Sequence, residues 1–316
     1  MSEPLRTAAT SERDTKYLAD HFCAGQVCSV QNLPGAARAH LAWALWNLNK
    51  QPLVLVTESS HALDLLYQDL LTITAEQDLG LVPFPPRETL PGNEGLAHPD
   101  LMGDRIYALQ QCLADTPPAL IVTSVQALLQ KTISPGELTR SQVTLSVGST
   151  HELNHLAEKL QEAGYEFDAE VHSKGQASVR GGLLDLWPPA EPWPVRIEFF
   201  GEVIDSIRHF DPVEQRSMAR LNDVQLTPPQ ESPSPSKTGG SDFMVYLSDK
   251  TQWVWFDPEP IRDHAGLYRE SMSEEARKKT ATYRTLRKRI AEQFEGGQLN
   301  VGMDGPHLHE GYGLDY

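Results

Sequence analysis

The sequence predicts an α/β fold: a parallel-sheet domain that carries an antiparallel α+β module within it. Three observations lead there. Between Cys28 and Lys131 short apolar runs alternate with amphipathic stretches, the pattern of parallel strands joined by helical crossovers. Between Tyr165 and Phe210 the runs become short strands separated by Gly and Pro at hairpin spacing, the pattern of an antiparallel sheet. After Arg220 the apolar run Trp253–Phe256 brings back the first pattern. A chain of 316 residues suits two domains and buries a core without metal or disulfide staples.

The elements follow in order. Residues 1–27 are expected to be a flexible N-terminus, because Ser2 to Asp20 is polar. Residues 28–135 form the first half of the α/β domain. There Cys28–Val30 is a strand, followed by a helix carrying Leu41, Ala44, Leu45 and Leu48. Leu53–Val56 is a buried strand, and Ser60 caps a helix with Leu63, Leu66, Tyr67 and Leu70 on one side. Leu79–Val82 is a strand. Pro83 to Gly92 is too rich in proline for regular structure. Arg105 to Leu113 is a helix, Leu120–Thr123 a strand, and Val125–Gln130 a short helix. Residues 136–213 form the antiparallel module. It opens with a strand at Gln142–Val147 and a capping box, Ser149-x-x-Glu152, before a helix bearing Leu153, Leu156 and Leu160. Gly164 closes that helix, and strands follow at Tyr165–Val171, Ala177–Arg180, Leu183–Trp187, Val195–Phe200 and Val203–Phe210. Residues 214–260 return to the α/β domain through Val224–Leu226, a Pro/Ser linker at Pro228–Gly240, and Trp253–Phe256. One basic helix over 261–295 and a flexible tail over 296–316 complete the expectation.

Charge narrows the function. Lys and Arg number 27 against 43 Asp and Glu, a net charge of -16, which argues against a general nucleic-acid binder. One stretch departs from this. From Arg262 to Arg289 cations outnumber acids, and Arg277, Lys278, Lys279, Arg284, Arg287, Lys288 and Arg289 are candidates for phosphate contact. The alternative is a solvated linker helix. No apolar run reaches the length of a membrane span, and the first residues lack the apolar core of a signal peptide. Cys23, Cys28 and Cys112 neither pair completely nor make a zinc set, which fits a reduced cytoplasmic location.

Motifs exclude more chemistry than they offer. Gly35 occupies the first position of a P-loop pattern between a strand and a helix. His40 then stands where a second glycine belongs, Leu41 where the lysine belongs, and Ala42 where the hydroxyl belongs. This degenerate P-loop is expected not to hydrolyse ATP, no cofactor is expected, and the chain is not expected to be an enzyme. An ordinary glycine turn explains it equally. Gly-x-Ser-x-Gly is absent, and His307-x-His309 alone is not a metal site.

The positive signal lies in Val195–Phe200. With period 2, Val195, Ile197 and Phe199 face a core, and Arg196, Glu198 and Phe200 share the opposite face. An arginine, a carboxylate and an aromatic on one strip is the composition of a protein-interface hot spot, which Arg180 could join. The alternative is that Phe200 is covered by the following hairpin and the charges are solvated.

Three segments, Gly164-Tyr165, Gly175–Pro189 and Pro194–Asp211 with Gln215–Ser217, closely resemble the UvrB-type interaction domain. That domain occurs in the repair helicase UvrB and in the transcription-repair coupling factor (Mfd) family. The flanks are similar to the coupling factors: the Leu33–Leu48 turn and helix, Arg87–Pro91 with His98–Asp100 and Arg105, and Val122–Gln130. The resemblance implies the N-terminal UvrB-like region of such a factor, with the interaction domain inserted into a UvrB-like domain whose ATPase motifs have decayed. It further implies a non-catalytic adaptor that binds UvrA in nucleotide excision repair, with Arg180, Arg196, Glu198 and Phe200 on the UvrA-binding positions. RNA polymerase and DNA would be reached only through regions absent from this chain, and no membrane is involved. Two other readings fit: a fragment of a nucleotide-dependent translocase whose motor lies elsewhere, and a stand-alone relative that sequesters UvrA.

Overall fold

The computed structural model describes residues 12–75, 77, 79–87, 99–229, 231 and 240–302. The chain begins there with α1 (Glu12–Cys23), which buries Leu18, Ala19 and Phe22. The expectation of a loose start is therefore corrected over 12–23: an apolar pair one turn apart suffices to dock the helix, and residues 1–11 lie outside the described residues. Next come β1 (Val27–Gln31), α2 (Gly35–Asn49) and β2 (Leu53–Thr57), whose five residues are all buried. Helix α3 (Ser60–Thr74) is capped by Ser59 rather than Ser60, its hydroxyl accepting from the Ala62 amide at 3.2 Å. Strand β3 (Leu81–Phe84), α4 (Pro99–Cys112), β4 (Leu120–Ser124) and α5 (Val125–Leu129) follow. Helix α6 (Pro135–Ser141) begins with a full capping box between Ser134 and Glu137.

The antiparallel module then forms in one run: β5 (Val143–Ser146), α7 (Leu153–Glu162), β6 (Glu166–Phe167), β7 (Gln176–Arg180), β8 (Leu183–Leu186), β9 (Val195–Phe200), β10 (Val203–Phe210), β11 (Ser217–Leu221) and β12 (Asp223–Leu226). The expected capping box at Ser149 does not form. Glu152 is itself the N-cap of α7 and makes no side-chain cap, while Ser149 bonds back to the Ser146 carbonyl at 2.6 Å. Strand β12 pairs with β5, and β11 extends the sheet beyond β10. The module therefore runs past the expected boundary at 213. Its core, with Leu156, Leu160, Leu184, Val195, Ile197 and Ile207, lies between the sheet and the layer of α7, β5 and β12.

The chain returns through β13 (Gln252–Phe256), α8 (Pro258–Glu270), α9 (Glu274–Lys279), α10 (Tyr283–Gln293) and β14 (Gln298–Gly302). Two expectations are corrected here. The single basic helix over 261–295 is three helices, because Ser273 and Thr282 each cap a new one and Met272 turns into the core. The tail is not free from 296: β14 enters the parallel sheet, with Leu299 and Val301 buried. Gly296 and Gly297 make that possible. A Cβ on either would collide with a backbone carbonyl, of Thr251 and of Phe22 respectively. The parallel sheet runs β1-β14-β13-β2-β4-β3, with a core on each face. Arg105 of α4 ties the two units together. Fully buried, it pairs with buried Glu231 at 2.8 Å, donates to the Pro85 carbonyl at 2.6 Å, and stacks on Phe84.

Candidate functional site

Two glycine turns set the geometry of the site. Gly181 at φ +62° lets β7 reverse into β8, and Gly201 at φ +65° lets β9 reverse into β10. Phe200 is thereby the last residue of β9, opposite Val203, and is 84% exposed. Along the same strand Val195, Ile197 and Phe199 are buried. The alternation is as read from the sequence, and the following hairpin does not cover Phe200.

The charged residues of this face are ordered by an acid that the sequence reading did not single out. Register places Asp185 of β8 opposite Arg196 of β9. Arg196 donates to both Asp185 oxygens, at 2.7 and 2.8 Å, and to the Gln215 side-chain oxygen at 3.0 Å. Arg180 reaches the same carboxylate at 2.9 Å. Asp185 is almost fully buried, Arg196 is mostly buried, and Arg180 is half-exposed. Donating to the Asp185 carboxylate holds the pKa of the Arg196 guanidinium above its ordinary value. The Arg196 guanidinium also lies 4.5 Å from the Phe210 ring centre. Bidentate arginine–carboxylate pairs fix orientation as well as charge, so both arginines are preset. Glu198 accepts from Arg208 at 2.6 Å and from Ser206 at 3.2 Å. Asp185 was legible only as a lone acid between Leu184 and Leu186, a polar residue on a strand whose neighbours point inward.

The other candidates are placed as follows. Only residues 32–34 separate β1 from α2, so Gly35 opens the helix and His40, Leu41 and Ala42 lie in its second turn. His40 is exposed, whereas Leu41 and Ala42 are buried in the core. The segment is thus a short turn into a helix. Beside it Arg38 pairs with Asp257 at 2.5 Å, across the carboxyl edge where open α/β sheets take ligands.

The basic stretch is engaged within the chain. Arg277 caps α8 through the carbonyls of Arg269 and Glu270, at 3.0 and 2.8 Å. Lys278 pairs with Glu274 and Lys279 with Glu275, both at 2.7 Å, and Lys288 with Glu292 at 3.7 Å. Arg287 stacks 4.3 Å from the Trp255 ring centre and bonds Asn300. Lys279 and Arg289 line a cleft of about 400 Å³ with Arg87 and Lys131, where Asp242 pairs with Lys131 at 2.8 Å and Arg289 at 3.3 Å. Arg284 also has an interaction partner. All seven candidate phosphate contacts thus have partners within the chain. Among the described residues no group of three His, Cys, Asp or Glu gathers to hold a metal, and no helix is long and apolar enough to cross a membrane. His307, His309 and residues 88–98 of the proline-rich segment lie outside the described residues.

The family model for the UvrB interaction domain matches residues 143–231. This chain carries a UvrB interaction domain. The match covers β5 through β12, and so the whole antiparallel module, site included. Beyond the domain, the chain is 35% identical to the transcription-repair-coupling factor of Myxococcus xanthus over 223 residues, 69% of this chain and 19% of that protein. It is 31% identical over 200 residues to that of Bacillus subtilis, covering 63% of this chain and 17% of the relative. With the Escherichia coli factor it shares 28% identity over 243 residues, 75% of this chain and 20% of the relative. The chain thus spans about a fifth of the length of these relatives, and it corresponds to their N-terminal, UvrB-like region.

Proposed function

We propose that this chain is a non-catalytic adaptor of transcription-coupled nucleotide excision repair, which binds UvrA in the cytoplasm through the open face of its UvrB interaction domain. The supporting observation is the pairing of an exposed aromatic with two preset arginines. Phe200 stands in solvent at the end of a strand, and Asp185 holds Arg180 and Arg196 beside it. Interface hot spots combine these residue types, and a preset arginine loses less entropy when a partner docks. Glu198, fixed by Arg208, completes the strip. The short turn before α2 and the burial of Leu41 and Ala42 support a region that needs no nucleotide.

The test is equilibrium binding of purified UvrA to the full chain and to Arg196→Glu. The charge reversal opposes Asp185 and is expected to abolish measurable binding. Binding equal to the parent chain would remove the face from consideration.

A further inference from the structure

Strand register puts more on this face than the four residues of the strip. Arg196 on β9 stands opposite Arg208 on β10, and Arg208 stands opposite Arg220 on β11. Directly opposed residues share a face of the sheet, with Cβ atoms roughly 5 Å apart. Three arginines therefore form a ladder across three neighbouring strands. Like charges so opposed destabilise a sheet. Two rungs are compensated within the chain, Arg196 by Asp185 and Arg208 by Glu198. The third is not: Arg220 is exposed, and among the described residues its guanidinium has no partner. Apolar side chains border the ladder. Val203 pairs with Phe200 and is 42% exposed, and Met218, two residues before Arg220 on β11, is 45% exposed.

We propose that the arginine ladder, with Arg220 as its open rung, determines partner specificity by taking carboxylates on the surface of the protein that docks on Phe200. This rests on the UvrA reading and extends it from one strip to the β9–β11 side of the sheet. The face carries Arg180, Arg196, Arg208 and Arg220 against Asp185, Glu198 and the Glu170 carboxylate 3.7 Å from Arg180, a small positive surplus on a chain of net charge -16. Charge complementarity of that kind sets partner choice and association rate. A protein surface fits better than a nucleic-acid backbone. Asp185 and Glu198 stand among the arginines and repel phosphates, and the exposed Phe200, Val203 and Met218 offer apolar area that phosphates do not use.

The experiment measures UvrA binding to the full chain, Arg196→Glu, Arg220→Glu and Lys159→Glu, at about 50 and about 300 mM salt. Lys159 lies on α7, against the other face of the sheet, and its reversal changes net charge by the same amount. Arg220→Glu is expected to raise Kd about fivefold at low salt, less at high salt, with an unchanged melting temperature. Lys159→Glu is expected to bind as the parent does. If Arg220→Glu binds like the parent while Arg196→Glu does not, the ladder proposal falls and the UvrA reading stands. Equal weakening by Arg220→Glu and Lys159→Glu would assign the effect to net charge and overturn the proposal. So would duplex DNA binding that depends on Arg220. If Arg196→Glu also binds like the parent, the UvrA reading itself falls, and the ladder's role with it.

Discussion

Phe199 and Phe200 are adjacent in sequence and opposite in consequence. A phenylalanine presents about 200 Å², and Phe200 is 84% exposed, so roughly 170 Å² is open to a partner. At about 25 cal/mol per Å² complete burial is worth ~4 kcal/mol. A partner surface closes over only part of a side chain that stands at a hairpin end, and half of that area gives ~2 kcal/mol, or about a thirtyfold change in affinity. Phe200→Ala is therefore expected to weaken UvrA binding about thirtyfold while leaving the melting temperature unchanged, because the ring contacts little in the free chain. Phe199, at 8% exposure, lies in the module core. Phe199→Ala is expected to lower unfolding free energy by ~3–5 kcal/mol. The assay pairs equilibrium binding with urea denaturation of each variant. Phe200→Ala binding within twofold of the parent, or a destabilised Phe200→Ala, would refute the argument.

Two further outcomes follow from a buried ion pair and a half-buried thiol. Glu231→Gln leaves the fully buried Arg105 guanidinium without its carboxylate, and breaking such a pair costs ~3–5 kcal/mol; a loss below ~1 kcal/mol in urea denaturation would show that the pair adds little. Burial pushes the Cys112 thiol up to about 12, so at pH 8 nearly all of it is the unreactive protonated form. Alkylation at Cys112, followed by peptide mass spectrometry, is expected to be slow in the native chain and fast in denaturant, and equal rates would contradict this burial.

Periodicity carried much of the fold and half of the site. The five-residue buried strands and the inward row Val195, Ile197, Phe199 are visible because burial repeats along the chain itself. What escaped depends on partners far apart in sequence. Asp185 is an isolated acid until β8 pairs with β9 and sets it against Arg196. Arg105 and Glu231 are 126 positions apart, and neither carries a local signature of burial. The three-helix break over 258–293 was missed for the opposite reason. Its signals, Ser273 and Thr282 as caps, are local but brief, and the run of cations around them reads as one helix. Strand β14 was missed because two glycines and a short apolar stretch look like a tail until the chain is seen threading between Thr251 and Phe22.

That strand also sets an order of assembly. Among the described residues strand β1 hydrogen-bonds only to β14 within its sheet, and about 270 residues of sequence lie between the two. During synthesis the first strand must therefore wait, unpaired, for nearly the whole described chain to emerge. The antiparallel module has no such debt: every residue of its core lies between 143 and 226. The surface that carries Phe200 can thus reach its final form on the ribosome while the platform beneath it is still open at one edge.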